Sequence, residues 1–490
     1  MQRDPQHLRW YHFFPVTIYY MGLTAISQTL VPLVLPLLIQ QFVGEARQGT
    51  YLGRMRLWAL MVAILAQAFW GMMSDRTRHR LGRRRPFVLG GTLADLVFIV
   101  AIGFSAQMPG MPGFNFLFVM YLLLQVASNA AQGAVQGLIP DLVSEERRGL
   151  ASAIKALFEV PLPVILVAFT IAPLITAGNL WGGLFVLVGL LLLVMAVTMF
   201  APEQPLAVAP PPMDWQPLLR LGAMTAVFTV IILILGEGVQ QVSHALVGMG
   251  ASTLLLVMGI LGLLTMSLAV VAGVWISIHI CVGTERARAA PSFTWWVISR
   301  LAYLVGSTNL AGFVLYFLQG RLGFTRERAA APASQMMLFV GVFILLSALP
   351  GGWLTDRLGR KRMLMSSGVV AAGGVVVMLL ATNLTLVYVA GAIIGVATGI
   401  FYAASWALGT SLVPQEEAGR YLGIANLAGA GAGAVGAYIG GPVADFFTTY
   451  VPETPGLGYV LIFGIYGVLF LLSVVTLLKV QEPDVSVPVE

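Results

Sequence analysis

Apolar residues run along this chain in stretches of twenty and more, with polar and helix-breaking residues gathered in short gaps between them. About 20 consecutive apolar residues suffice for a helix to cross a bilayer. By that length, and by Gly, Pro or charge at the borders, spans fall near 12–42, 52–73, 87–107, 114–140, 149–177 and 180–201. The segment 202–217, with PEQP and PPPMDW, cannot continue a helix through its prolines and reads as a linker. Two more apolar runs lie near 218–236 and 252–280. A second set of six lies near 293–319, 333–355, 363–382, 385–413, 420–447 and 456–480. The pattern predicts an all-α polytopic membrane protein of fourteen spans. They form a first six-helix bundle over 1–201, a linker with two extra membrane helices over 202–292, and a second six-helix bundle over 293–490.

Charge sets the direction in which these spans cross. Between the second and third runs lies SDRTRHRLGRRRPF, Ser74 to Phe87, with six arginines, and Lys and Arg at span ends are retained on the cytoplasmic side. A shorter echo, DRLGRKR, occupies Asp356 to Arg362, and Asp75 and Asp356 stand 281 positions apart. Repetition of membrane spans at that distance marks a duplicated bundle, the architecture of many secondary transporters. With both termini inside, 21 of the 27 Lys and Arg lie on the cytoplasmic side, and only Arg47, Arg54, Arg56, Arg321, Arg326 and Arg328 fall outside. Losing one extra span would turn DRLGRKR outward, whereas losing both would not, so twelve spans with a long insertion is the alternative. The amino-terminal MQRDPQHLRW has no small-residue cleavage site and reads as the lead into an uncleaved first span.

A hydrophobic share of 58% with 10% charge excludes an ordinary soluble globule, which carries about 25% charge. The net charge of +6 does not imply nucleic acid, because orientation and anionic lipid headgroups account for basic residues in short loops. The single cysteine, Cys281, allows no intrachain disulfide, and His7, His12, His79, His244 and His279 show no ligand spacing. No nucleophile, base and orienter set and no phosphate-cradling loop is present, so no enzyme, metal or cofactor is expected. The expected partners are a small-molecule solute and membrane lipids, the expected state a monomer, and the expected location the cytoplasmic membrane.

Polar residues inside the spans are few, which makes each a candidate. Gln125, Asn129, Gln132 and Gln136 are spaced four, three and four, within roughly a 60° arc of one helix face. Facing lipid such a stripe would cost free energy, so it lines a cavity or bonds a neighbouring helix. Lys155 and Glu159 pair as i and i+4, either as a proton-coupling site or as a self-neutralising structural pair. Arg300 shares a face with Trp296, Tyr303 and Ser307, to bind a polar solute or to snorkel toward headgroups. Tyr402 and Trp406 share a face with Gly391 and Gly395, as a platform for the apolar face of a sugar or as lipid-facing rings. Asp95 reads as structural, and the run Gly429 to Gly441 as close helix packing.

The block Ser74 to Phe87 resembles the helix 2 to helix 3 loop of the major facilitator superfamily, and its wording is nearest the sucrose transporter and glycoside-pentoside-hexuronide cation symporter branch. Leu123 to Leu142, LLQVASNAAQGAVQGLIPDL, is similar to that branch's helix 4 to helix 5 segment, with Asn129, Gln132, Gly133 and Asp141 in register. The resemblance is specific over about 64–155 and implies alternating access between two pseudo-symmetric bundles. It further implies a sugar or glycoside as solute, a proton or sodium ion as coupling partner, and a cytoplasmic gate of Gly71, Asp75, Arg76, Arg83 and Arg84, echoed by Asp356 and Arg360. Two positions depart from it: plant sucrose–proton symporters place an Asp and an Arg where this chain has Gln125 and Gln136. Gln carries no exchangeable proton, so coupling through Glu159 is the expectation. Efflux of an amphipathic compound and a non-transporting assembly or lipid-binding role are the rival readings.

The charge distribution yields a topology that labelling can check. Cysteines introduced at Arg83, Pro291 and Lys361, on a background with Cys281 replaced, should react only from the cytoplasmic side. Reaction at position 83 from outside would invert the whole scheme.

Overall fold

The computed structural model describes residues 10–144, 147–203, 205, 215–289, 291–326, 328–413 and 418–482. Among these residues there is no strand. Backbone N–H and C=O groups have no water to bond in hydrocarbon, and a helix satisfies them within its own segment. Thirteen of its helices are long and apolar enough to cross a membrane: α1 (Phe13–Val43), α2 (Gln48–Arg76), α3 (Arg85–Ser105), α4 (Gly110–Leu142), α5 (Arg148–Thr176), α6 (Leu180–Thr198), α7 (Gln216–Ala245), α8 (Ala251–Ile280), α9 (Pro291–Leu322), α10 (Ala330–Leu358), α11 (Arg360–Leu379), α12 (Leu384–Ser411) and α14 (Leu457–Leu477). Between the last two lies α13 (Ala418–Tyr450). Both inserted apolar runs are continuous helices, so the order is six, two, six rather than twelve spans with a loop.

Most boundaries fall within a few residues of the apolar runs, and α7 is the exception. It continues from the predicted end at 236 to Ala245 through Glu237, Gln240, Gln241 and His244. Two spans are bent at prolines, which lack an N–H and clash with the preceding turn. In α1, a π-turn at Leu30–Val34 contains Pro32 and is followed by Pro36. In α5, Val160 distorts the helix with φ −118°, ψ −70°, Pro161 and Pro163 come next, and a π-turn occupies Val167–Ile171.

By packing the chain forms two units. The first is Met1–Val43, Trp58–Leu219 and Arg326–Ser334; the second is Gly44–Leu57, Arg220–Thr325 and Gln335–Glu490. Inside the first, α3 packs on α4 and α6, and α1 on α5 and α6. Inside the second, α11 packs on α12 and α14, and α9 on α13 and α14. The partnerships repeat with a shift of eight elements, which is the duplication read from the two Arg-rich loops. Helices α1 and α9 are the equivalent central members, with 67% and 83% of their most apolar windows buried. The inserted helices belong to the second unit. Helix α8 packs on α9, α13 and α14, while α7 seats Phe228 against Gly273 of α8 and Gly431 of α13. Outward-facing side chains are apolar, as at Leu349 (85% exposed) and Phe200 (77%), where water would penalise them and lipid does not.

Close helix approach depends on glycine at particular positions. A Cβ at Gly91 of α3 would stand 2.7 Å from the Ala127 carbonyl oxygen of α4, whereas one at Gly90 would meet nothing within 4 Å. Ala is intrinsically favoured over Gly in a helix by about 1 kcal/mol. Gly90→Ala should therefore hold or raise the melting temperature of the purified protein, while Gly91→Ala should lower it by forcing the helices apart at about 1–3 kcal/mol. Equal melting of the two variants would refute the packing.

Candidate functional site

The Arg-rich loop of the first unit closes on itself around Arg84. Gly82 gives the turn a φ of +109°, and Gly359 in the second copy has +94°. Only glycine adopts that region without strain, so the shared RLGR wording encodes one backbone turn twice. Past the turn, Arg84 is buried. Its guanidinium bonds Asp75 at 2.8 Å and also Asp141, which Arg83 bonds as well. Gly137 leaves the room this guanidinium occupies, since a side chain there would overlap it. Asp75 remains 56% exposed, and Gly71 lies where α4 comes closest to α2, beside Gly133. Arg76 is half-buried. The partners of Arg84 and Asp75 seen among the described residues all belong to the first unit.

A carboxylate after the last span of each set completes the loop, and the apolar pattern did not single it out. Glu203 accepts from the backbone N–H groups of Arg84 (2.7 Å) and Arg85 (3.0 Å) at the start of α3. In the second unit Glu482 accepts from the Lys361 N–H at 2.6 Å at the start of α11. The positive end of each helix is thus met by an acid. The signal was PEQP and QEP at matching places behind the sixth and last spans. The copies otherwise differ: Asp356 is exposed and Arg360 half-buried, and Arg357 lies over the Trp353 ring at 4.0 Å.

On α4 the amide stripe is graded. Gln125 and Gln132 are half-buried, Asn129 is buried and Gln136 exposed. Asn129 donates to the Gln125 carbonyl at 2.8 Å, within its own helix. The other three side-chain amides bond no described residue, so the interhelical bonds that a glue role requires are not seen here. Nearby, Lys155 and Glu159 stand 3.3 Å apart and partly exposed, with Lys155 also over the Tyr20 ring at 4.3 Å. The helix is distorted immediately after Glu159, at Val160, which still donates to the Ala156 carbonyl at 3.1 Å. Asp95 of α3 is the more deeply buried acid, with one oxygen accepting from Ser128 at 2.9 Å and the other unpartnered.

In the second unit the residues around Arg300 gather differently from the sequence expectation. Arg300 is 5% exposed and does not snorkel. Its Nη1 donates to Ser405 at 3.0 Å, and its guanidinium lies 4.6 Å from the Trp406 ring and within 6 Å of Trp296 and Phe401. No described carboxylate is within ion-pair distance of it. Its Nε and the indole N–H of Trp296 are buried without a partner. Tyr303 is not part of an open surface: it is fully buried, bonded to Thr398 at 3.3 Å and stacked on Phe401 at 3.8 Å. Tyr402 is 40% exposed and Trp406 half-buried. Gly391 and Gly395 face α10, where a Cβ would meet Met336 and Val340. An arginine among aromatic rings with two idle donors can hold an oxygen-rich group while a ring covers its apolar face.

The start of α2, in the second unit, holds residues that loop-level reading missed. The Asp445 carboxylate accepts from the Gly49 N–H at 2.9 Å and the Thr50 N–H at 2.7 Å. Arg56, counted by charge on the outer side, is buried near the start of α2 and donates to Asn309 at 3.0 Å. Glycines 436, 440 and 441 of α13 give Asn309, Tyr466 and Gly49 their space, which makes the glycine run a packing surface.

A family model described as Major Facilitator Superfamily matches residues 17–324 and 295–490. The sucrose transport protein SUC3 of Arabidopsis thaliana is 29% identical over 114 residues, 20% of this chain and 19% of that protein. The minor myo-inositol transporter IolF of Bacillus subtilis is 29% identical over 139 residues, 28% of this chain and 30% of that one. The chain thus matches about a fifth to a third of these relatives' lengths. Among solved structures, a D-xylose-proton symporter superposes with a TM-score of 0.64 at 14% identity, covering 97% of this chain and 98% of its own. An auto-inhibited POT family peptide transporter gives 0.65 at 12% identity, with 98% of each covered.

The clamp around Arg84 makes an ordered prediction. Arg84→Gln removes the buried charge at the centre of the cluster and should cost about 2–3 kcal/mol, whereas Asp75→Asn, at an exposed acid, should cost under about 1 kcal/mol. Thermal melting in detergent reads both, and a larger loss from Asp75→Asn would displace the clamp's centre from Arg84.

Proposed function

The chain belongs to the major facilitator superfamily, and within it we propose that it moves a small polar solute, a sugar or a glycoside, across the cytoplasmic membrane by alternating access. That superfamily is a transporter family rather than an enzyme class. The observation that carries the reading is the amide stripe. Gln125, Gln132 and Gln136 leave donors and acceptors unspent on protein, and buried or half-buried amides are costly unless something polar meets them. A polyhydroxylated solute supplies donors and acceptors in the alternation that an amide row matches. The sucrose and myo-inositol transporters among the relatives, and the D-xylose symporter of like fold, support that class.

In this reading Arg300, Tyr402 and Trp406 form the contact surface of the second unit. Arg300, held by one hydroxyl and by ring faces, donates to hydroxyl oxygens, and the half-buried Trp406 covers the ring. A cation, proton or sodium, drives accumulation, with Glu159 as its carboxylate. Gln125 and Gln136 cannot serve. Binding of the cation must break the 3.3 Å pair with Lys155, and the distorted turn at Val160 adjoins that change. Both termini are cytoplasmic.

Uptake of labelled sucrose, myo-inositol and xylose into proteoliposomes, with and without an imposed pH or sodium gradient, tests this directly. At least one should accumulate. Gln132→Leu should abolish binding with little loss of melting temperature; normal binding with early melting would make the stripe a packing feature. Glu159→Gln should keep solute exchange yet lose gradient-driven accumulation, and persistence of accumulation would remove Glu159 from coupling.

A further inference from the structure

At the end of α2 opposite the Arg-rich loop, the second unit contains a cavity of about 380 Å³ that the solute reading does not use. Three elements build it. The start of α2 contributes Arg47, Tyr51 and Arg54; the polar extension of α7 contributes Gln240, Ser243 and His244; the end of α13 contributes Asp445, Thr449 and Tyr450. This is where α7 departs from its apolar pattern. Of the nine residues from 237 to 245, Gln240, Ser243 and His244 bring polar side chains to this cavity.

Its charge is unbalanced toward cations. Asp445 is the single acid in the described lining, and its two oxygens already accept from the Gly49 and Thr50 N–H groups. Arg47 and Arg54 have no described carboxylate within ion-pair distance; Arg54 lies 5.4 Å from the Tyr51 ring. His244 adds an imidazole. The Nε2 of Gln240 is buried without a partner, while the hydroxyl of Ser243 donates to the Gln240 carbonyl at 2.7 Å and so keeps acceptor capacity only. Two guanidinium groups, an idle amide donor and an imidazole call for an anion rich in acceptor oxygens, and forked guanidinium donors match phosphate in particular. Arg54 lies six residues into α2, roughly 9 Å along it, and basic pockets at the ends of membrane helices are suited to anionic headgroups.

We infer that this cavity is a binding site for a phosphate group, built by the extra helix α7 against α2 and α13. The group is either the headgroup of an anionic phospholipid or free phosphate. Bound there, it ties the polar end of α7 to α2 and so stabilises the folded protein.

The experiment uses the purified full-length chain in nanodiscs of phosphatidylcholine alone, of phosphatidylcholine with phosphatidylglycerol, and of phosphatidylcholine with inorganic phosphate in the buffer. Melting temperature should rise with phosphatidylglycerol, and the rise should be lost in Arg47→Gln/Arg54→Gln while surviving in Arg321→Gln/Arg328→Gln, whose charges lie outside the lining. A rise with inorganic phosphate alone, lost in the same double variant, assigns the site to the free anion. Should the double variant not fold, the exposed single changes Arg47→Gln and His244→Gln, with retained phosphatidylglycerol counted by native mass spectrometry, give the same reading. No rise with either additive, or an equal rise in the parent and the lining variants, overturns the site.

Discussion

Buried charge without water is the constraint from which the loops of this protein take their form. Arg84 lies where neither lipid nor solvent can solvate it, and an isolated guanidinium there would cost several kcal/mol. Asp75 and Asp141 offset that cost, Gly137 vacates the volume the guanidinium needs, and Glu203 fixes the adjoining helix start from a distant part of the chain. Each accessory feature answers to one side chain. In the second copy Lys361 stands at the place of Arg84, two residues after the glycine, and its Nζ donates to the Leu478 and Val480 carbonyls at 3.3 and 2.7 Å; the backbone turn and its glutamate persist there, while Asp356 is exposed. The two copies share the turn, and among the described residues they hold its cation by different acceptors.

A similar asymmetry separates the two central helices. Both α1 and α9 are buried through most of their length, but α9 carries a column of large rings, Trp296, Tyr303, Phe313, Tyr316 and Phe317, with exposures under 2%. Against that stiff column stands Arg300, held by a single hydroxyl and by ring faces. Helix α1 is instead interrupted by prolines and a π-turn. The central helix of one half is continuous and lined with buried rings, and that of the other is interrupted.

The spans were legible because hydrocarbon demands length and apolarity, and both are local properties of a sequence. Where the reading failed, the missing information was the neighbour. The polar tail of α7 looked like a loop because nothing in residues 237–245 reveals that α2 and α13 receive it. Arg56 looked external because its charge was visible and Asn309, 253 positions away, was not recognisable as its partner. Tyr303 was placed with the binding residues because it shares a face with Arg300, yet Thr398 and Phe401 already consume its hydroxyl and ring. Periodicity gives the face of a helix but not what covers it. The Glu203 and Glu482 pair was recoverable in principle, since the two acids come after equivalent spans at nearly the spacing of the repeat.

The π-turns of α1 and α5 have an evolutionary meaning. A π-turn holds one residue more than the α-helical turn it replaces, so it is a single-residue insertion absorbed without rotating the rest of the helix. An ordinary helix that loses one residue turns every later side chain by about 100° and would present the wrong face to its neighbours. Deleting one residue within Leu30–Val34 or Val167–Ile171 instead returns the segment to α geometry with both flanks still in register. Among the described residues these are two places where a span can change length by one residue without repacking its flanks.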